Sequence, residues 1–259
     1  MAQWNKVKFF YDTMLGSSGS TFAATTTAAG HDVADICNML EVNGWKAADM
    51  TDPHYITFDA GAAGQASADY LAIHGHNLAS AGASIVLQYS SDNFAADINN
   101  AFTPETPATD RTYLREFAGT AQYRYWRLKI TGHTQAPYMG ICVWGLKTEF
   151  DYATASFDPH SQEAKAAVNL SYGGYVMGSH TQYIERSMAL RFEDADASLY
   201  AKVRAWWEGS GLKNLFVAWE NANNPDEVFL MRPDPRFENP LTSGGLYRDI
   251  TINLKGRKE

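Results

Sequence analysis

Two histidines separated by one residue, His74 and His76, have the spacing that most resembles a metal site in this sequence. Alternate residues of a β-strand share a face, so both imidazoles could reach one ion. A protein zinc site needs three or four ligands, and Asp69 and His54 are the only further ligands that suggest themselves. The competing interpretation places His74 on a strand and His76 at a turn. We therefore predict no metal and no cofactor.

The acidic residues give no evident catalytic pair. Glu193, Asp194 and Asp196 precede a predicted helix, where free backbone N–H groups and the helix dipole favour acids. Asp226 and Asp234 lie in the turn-like segments NNPDE and RPDPR. The sequence has no serine nucleophile elbow, phosphate-binding loop or dinucleotide fingerprint. We predict no enzymatic activity. A hydrolase of cell-wall sugars stays open, because distant carboxylates can converge in a cleft.

One helix is predicted over about 196–209. Leu199, Val203 and Trp206 follow the spacing of a single helix face, Asp196 is a suitable N-cap, and Gly209 can close the end.

Tryptophans form the third group with chemical potential. Trp206, Trp207 and Trp219 could build a binding platform, but only one of two adjacent helical residues can point directly at a sheet. We predict that these rings serve packing and contacts between domains or subunits.

Charge and composition exclude some functions. The chain of 259 residues has a formal net charge of −8, which disfavours nucleic-acid binding because phosphate backbones need clustered Lys and Arg. No stretch approaches the roughly 20 apolar residues of a membrane helix, and the first residues have no signal-peptide pattern. Cys37 and Cys142 lie in apolar contexts, which favours a structural role, with a disulfide between them as the alternative.

Alternating strands separated by Gly, Asn, Asp and Pro turns dominate the first 150 residues and indicate an antiparallel sandwich. The segment 151–162 has no sustained period and is predicted to be a linker. Residues 163–259 combine further strands with the helix. The fold class is therefore mainly β, with a β-sandwich over 1–150 and a smaller β-sandwich-like domain carrying one packed helix over 163–259.

The stretch YRYWRLKI, residues 123–130, shows how one strand divides into two faces. Trp126, Leu128 and Ile130 share the face predicted to lie in the core, and Arg124 at its end needs an acidic or carbonyl partner near the rim. Tyr123, Tyr125, Arg127 and Lys129 share the other face, where long cations keep their charged ends in water.

The first domain resembles the discoidin, or coagulation-factor type C, family, a galactose-binding-like jelly roll. The motifs occur in the family's order: Trp45 before a polar loop, YITFDAG, YLAIHGHNL, SIVLQYSSDN and YRYWRLKITG. Two features depart from the family pattern: Ala60 replaces a leucine, and the paired terminal cysteines are absent. The family's ligands bind in loops at one end of the sandwich. The resemblance therefore implies ligand-binding candidates at Asn43, Trp45, Asn77, Asp92, Asn93 and Phe94.

The segment from about 154 to 259 looks like the β-plus-helix domains of bacteriophage tail proteins, on LFVAWENANNPDEVFLMR and a terminal YRDITINLKG. This resemblance implies a non-enzymatic minor tail or baseplate protein, made in the host cytoplasm without a signal peptide. Its expected partners are other tail proteins and further copies in a trimer or ring, with Trp206, Trp207 and Trp219 as assembly contacts. Host-surface carbohydrate is a further expected partner. A carbohydrate-binding module protein is the alternative.

Overall fold

The computed structural model describes residues 6–62, 64–151, 153–154 and 156–259, and the chain forms two compact units. The N-terminal unit holds Phe9–Thr148 and Asn221–Val228. The C-terminal unit holds Glu149–Glu220 and Phe229–Glu259, together with the described residues before Phe9. Each unit therefore contains a segment from the other half of the chain.

Ten strands and one short 3-10 helix, Val33–Cys37, are described in the N-terminal region. The strands are β1 (Lys8–Thr13), β2 (Thr21–Ala24), β3 (Trp45–Lys46), β4 (His54–Asp59), β5 (Tyr70–His76), β6 (Ser84–Ser90), β7 (Asn99–Asn100), β8 (Tyr113–Glu116), β9 (Tyr125–Thr131) and β10 (Tyr138–Glu149).

Two sheets face each other across the core of this unit. Five strands form one sheet in the order β2-β4-β9-β6-β7, and the other sheet runs β1-β10-β5-β8, with β3 also paired to β10. Neighbours in the sequence are mostly not neighbours in the sheets, as expected for a jelly roll. The predicted mainly β class with an N-terminal jelly-roll β-sandwich is confirmed.

The two faces predicted for residues 123–130 are confirmed over residues 125–130, where strand β9 runs. Trp126, Leu128 and Ile130 are fully buried, whereas Arg127 and Lys129 keep part of their side chains in solvent. Arg124 has the acidic partner that was expected: its Nε and Nη2 atoms donate to the two carboxylate oxygens of Asp59 at 2.7 and 2.9 Å.

The C-terminal unit has a mixed sequence of strands and one described α-helix. Its elements are β11 (Gln162–Leu170), β12 (Val176–Ala195), α1 (Ala197–Ser210), β13 (Leu215–Ala218), β14 (Val228–Pro233), β15 (Leu241–Thr242), a 3-10 turn (Ser243–Gly245) and β16 (Tyr247–Arg257). The strands follow the order β11-β12-β16-β14-β13, and β15 pairs with β16.

Helix α1 begins as the sequence predicts and ends later. The Asp196 carboxylate accepts a hydrogen bond from the Leu199 N–H at 2.8 Å, and Leu199, Val203 and Trp206 are buried. The helix ends at Ser210 because Gly211 takes a positive φ of 57°. The expectation that Gly209 closes the helix is wrong, because Gly209 lies inside its last turn.

The predicted linker lies against the C-terminal unit where it is described; Tyr152 and Ala155 lie outside the described residues. The Thr154 N–H donates to the Arg191 carbonyl at 3.0 Å, and the rings of Phe157 and His160 contact Trp219. These contacts fix the segment's path along this unit.

No disulfide joins Cys37 and Cys142, so the alternative of a disulfide between them is wrong. Cys142 lies in the core on β10, where burial raises the pKa of its thiol. Among the described residues, no helix has the length and apolar character needed to cross a bilayer.

Candidate functional site

The loop residues predicted to bind a ligand lie at opposite ends of the sandwich. At one end of the five-stranded sheet His54 pairs with Ile130, and at the other end Asp59 pairs with Tyr125. The loop 91–98 follows Ser90, which also pairs with Tyr125, so Asp92, Asn93 and Phe94 lie at the second end.

Trp45, Asn43 and Asn77 lie at the first end. Trp45 pairs with Met139, and Met139 also pairs with His76, the last residue of β5. The turn after β5 leads directly into β6, whose first residue lies opposite the last residue of β9. The six candidates therefore cannot form one binding site, and the expectation of a single shared site is wrong.

At the first end, the predicted residues mainly hold the fold together. Trp45 is fully buried and its indole N–H donates to the Thr26 carbonyl at 3.0 Å, so it offers no ring face to a sugar. The Asn77 side chain donates to the Ala136 carbonyl at 3.1 Å and accepts from the Tyr138 N–H at 2.8 Å. The Asn43 side chain is half-buried.

The two histidines of the metal-like motif have separate partners. The Nδ1 atom of His74 lies 2.9 Å from the Thr112 hydroxyl, and that of His76 accepts from the Leu78 N–H at 3.2 Å. Gly75 between them has a positive φ of 63°, which interrupts the regular strand alternation. No group of three potential metal ligands occurs in the part of the chain that the structure describes.

At the second end, the loop 91–98 is a tightly bonded structure. The Asp92 carboxylate accepts hydrogen bonds from the N–H groups of Ala95, Ala96 and Asp97 at 2.8–3.1 Å. The Ser90 hydroxyl donates to the same carboxylate at 2.8 Å and accepts from the Phe94 N–H at 2.8 Å. These bonds lower the pKa of Asp92, the N–H of Asp97 contributing most. Asp92 therefore organises the loop.

This loop holds Phe94 above the outer face of the five-stranded sheet. Asn93 and Phe94 both have left-handed backbone conformations, with φ of 59° and 64°. Such conformations cost about 1–3 kcal/mol each for non-glycine residues and persist where the surroundings enforce them. The Phe94 ring consequently lies over Arg127, whose Cζ is 4.0 Å from the ring centroid.

We name the resulting group the Arg127 site: Tyr55, Gln88, Phe94, Asn100, Arg127 and Lys129. The Arg127 Cζ also lies 4.4 Å from the Tyr55 ring centroid, so two aromatic rings contact one guanidinium. Its Nε donates to Gln88 Oε1 at 2.8 Å, and Gln88 Nε2 donates to Asn100 Oδ1 at 2.8 Å. Strand register places Lys129 opposite Tyr55.

The two cations of the Arg127 site have no carboxylate partner among the described residues. Partial burial lowers the pKa of the Arg127 guanidinium, an effect that Tyr55 opposes. Arginine nevertheless stays charged at neutral pH because its ordinary pKa is above 12. The site therefore carries a fixed positive charge in an acidic chain.

Sequence reasoning identified Phe94 but missed Tyr55, Gln88 and Arg127 as its neighbours. The alternation of residues along β9 placed Arg127 on the outer face of the sheet, and no other feature of the sequence indicated that it belongs to a site. Its ring contacts depend on the left-handed backbone at Phe94.

A cleft of about 540 Å³ also opens at the second end of the sandwich. Its lining includes Met14, Ser17, Phe58, Gly61 and Gln65, and no charged side chain belongs to the described lining. The cleft offers hydroxyl and amide groups but no cation.

The three tryptophans predicted as assembly contacts are engaged inside the C-terminal unit. Trp206 is buried in the helix face, and Trp219 is 9% exposed beside Phe157. Trp207 stacks on the Phe237 ring with centroids 4.8 Å apart. The expectation is therefore wrong for Trp206 and Trp219, because their rings have no face free for another subunit.

A projecting hairpin is the main exposed feature of the C-terminal unit. Strand β16 ends at Arg257, opposite Glu185 of β12, whereas the β11–β12 pairing continues to Leu170 and Val176. We name residues 164–183 the arm. At about 3.3 Å per residue its strands extend for roughly 25 Å. Nearly all arm residues are exposed, so neither face packs on a core.

The end of the arm is apolar. Large side chains that are more than half exposed cluster there: Val168, Leu170, Tyr172, Tyr175, Val176 and Met177. No Asp, Glu, Lys or Arg occurs between Lys165 and Glu185. Natural edge strands are usually protected by charges, prolines or covering elements. The arm is thus an exposed apolar surface with an unpaired strand edge.

Comparisons with known proteins give likenesses to solved structures. No family model matches the chain, and no curated protein matches it. A putative alpha-L-fucosidase from Bacteroides thetaiotaomicron is 16% identical with a TM-score of 0.45, over 54% of this chain and 30% of the fucosidase. This chain thus corresponds to less than a third of that enzyme.

Two carbohydrate-binding modules are also similar. Chitosan-binding module 1 from a Paenibacillus sp. IK-5 chitosanase/glucanase is 16% identical with a TM-score of 0.41, covering 51% of this chain and 98% of the module. The module CpGH89CBM32-5 from Clostridium perfringens, solved with GalNAc-beta-1,3-galactose, is 11% identical with a TM-score of 0.41 over 51% and 98% of the two chains.

Proposed function

We propose that this protein is a non-enzymatic structural subunit that assembles with further copies of itself through the arm. The setting that we propose is a bacteriophage tail or baseplate, with other tail proteins as neighbours. The single observation that carries the proposal is the arm, which is exposed on both faces and ends in six largely exposed apolar side chains.

The arm has the properties of an interface that lacks its partner. A two-stranded hairpin is at best marginally stable alone in water. Burying a large apolar side chain contributes about 1.5–3 kcal/mol, so covering even half of the arm's apolar side chains supplies several kcal/mol toward association. Strand β11 lies at the edge of its sheet, where its free backbone groups can pair with another strand.

A second copy is the occupant that fits the arm best. The arm is uncharged between Lys165 and Glu185, whereas the chain has a net charge of −8. Two acidic chains can therefore approach through this segment without carboxylates facing one another. A head-to-tail form of this contact, repeated around a symmetry axis, would produce a closed trimer or ring.

Light scattering after size-exclusion chromatography tests the assembly. We expect the intact chain to be an oligomer and the double variant Leu170→Glu/Val176→Glu to be a monomer with an unchanged circular dichroism spectrum. The matched control is Leu212→Glu/Leu246→Glu, at residues that are 58% and 77% exposed outside the arm, and it should stay oligomeric. A monomeric intact chain at micromolar concentration would refute the proposal.

The proposed location in a bacteriophage tail or baseplate is tested separately from the assembly. Mass spectrometry of purified virus particles should detect this chain in a fixed ratio to the other tail proteins. Its absence from such particles would overturn the virion assignment but leave arm-mediated assembly standing.

A further inference from the structure

We propose that the Arg127 site binds a carboxylate-bearing sugar residue, with Arg127 holding the carboxylate and the neighbouring aromatic side chains contacting the sugar ring. This adds a binding activity to the proposed assembly role and does not depend on the arm. The site lies on the outer face of the five-stranded sheet, beside the loop 91–98.

The orientation of the guanidinium is fixed before any ligand arrives. Its Nε is bonded to Gln88, and the Phe94 and Tyr55 rings contact it at 4.0 and 4.4 Å. The terminal nitrogens make no hydrogen bond to the described residues. A planar guanidinium presents two parallel N–H donors that match a carboxylate. Because the group is already ordered, less side-chain entropy is lost on binding.

The local charge favours an acidic ligand over a neutral one. Lys129 lies one alternate position along β9 from Arg127, and neither cation is neutralised by a carboxylate of the described chain. The nearby acids are already occupied: Asp92 bonds its own loop, Asp97 accepts from Ser91, and Asp59 pairs with Arg124. An incoming carboxylate would therefore meet two cations without having to displace an acid of the described chain.

The backbone of the loop supports a binding role for this site. Two consecutive non-glycine residues, Asn93 and Phe94, are held in left-handed conformations by the hydrogen bonds of Ser90 and Asp92. Strain of this kind tends to persist where it positions a functional group. Here it positions a partly exposed aromatic ring above the arginine. Sugar rings pack well against such rings, and the exposed Asn100 provides an amide near their hydroxyl groups.

Calorimetric titration of the full chain tests the proposal with matched acidic and neutral probes. The acidic probes are 3′-sialyllactose and trigalacturonic acid, and the neutral ones are lactose and the methyl ester of trigalacturonic acid. We expect binding of at least one acidic probe, with its neutral counterpart about tenfold weaker or more, a difference of about 1.4 kcal/mol. The acidic probe that binds distinguishes a sialic acid from a uronic acid.

Three variants separate the role of the site from an effect on folding. Arg127→Lys keeps the charge but loses the paired donors, and Phe94→Leu removes the ring while leaving the sheet intact. Each should weaken acidic-probe binding about tenfold or more, as expected when a bidentate charged contact or an aromatic contact is lost. Lys46→Gln, an exposed lysine on β3 at the opposite end, is the matched control and should bind normally.

Several results would overturn the proposal. They are the failure of both acidic probes to bind, equal binding of acidic and neutral probes, and unchanged binding by a folded Arg127→Lys chain. Light scattering on the same samples reports assembly separately, so failure of the sugar site and failure of the proposed assembly are distinguishable.

Discussion

Replacing Trp126 by alanine should destabilise the N-terminal unit strongly, because this large side chain is fully buried in its core. Trp126 is fully buried, its ring is 5.4 Å from that of Tyr89, and its indole N–H donates to the Tyr123 carbonyl at 3.1 Å. Truncating a buried Trp to Ala typically costs about 3–5 kcal/mol, and loss of the hydrogen bond adds about 1 kcal/mol. We expect a loss of about 4 kcal/mol or more.

Its neighbours on the same strand provide matched controls. Arg127→Ala removes two contacts with aromatic rings, each contributing about 0.5–1 kcal/mol near the surface, so its effect should be about 1–2 kcal/mol. Lys129→Ala should change stability by no more than about 0.5 kcal/mol, as surface substitutions usually do. Substitutions at three nearby positions of β9 should therefore change stability by very different amounts.

Scanning calorimetry and urea denaturation can measure this ranking. Two compact units can unfold in separate transitions, so the transition that shifts in Trp126→Ala should be followed in all three variants. For a domain of about 150 residues, 4 kcal/mol corresponds to a decrease in Tm of roughly 8–16 °C. A larger loss for Arg127→Ala than for Trp126→Ala would show that the register of β9 is wrong.

Two further predictions concern carboxylates. Hydrogen bonds from Arg124 lower the pKa of Asp59 below its ordinary 3.8. The ion pair therefore stabilises the folded state fully above that pH, and the stabilisation is lost as pH falls through the lower folded-state pKa. Calorimetry between about pH 5 and pH 2 should show that stability declines as pH falls, and that the decline is shallower in Arg124→Gln than in the intact chain. An equally steep decline in both chains would contradict this prediction. Asp196→Ala should lower the stability of the C-terminal unit by about 1 kcal/mol, because the N-cap bond to Leu199 is lost. In chemical denaturation, Glu208→Ala, which breaks an exposed ion pair on the same helix, should have a smaller effect; the reverse order would refute the capping role.

The sequence contained enough local information to predict most strands. In β4 and β9 a period of two separates Ile56, Phe58 and Trp126 from their polar neighbours, because one face of the sheet is buried and the other is exposed to solvent. The start of α1 was equally predictable, since a cap needs only Asp196 and the next few N–H groups. The end was not, because Gly209 and Gly211 both suit it and only the backbone conformation distinguishes them.

The candidate ligand site depended on information that alternation does not contain. Trp45 precedes a polar loop, a setting typical of an exposed aromatic residue, yet it fills the core because β3 pairs with β10. Asn77 and Phe94 are both loop residues, and only the pairing of distant strands places them at opposite ends of the sandwich.

The sequence by itself determined the mainly β class, the positions of most strands along the chain and the capped start of the helix, because these follow from residue patterns within a few positions of each other. Only the tertiary structure decided that the arm is exposed, since its apolar residues resemble those of a buried strand in the sequence. The arm is left uncovered because β16, the neighbour of β12, ends at Arg257. The tertiary structure also decided that Arg127 lies against Phe94 and Tyr55, because that contact joins three segments distant in the chain.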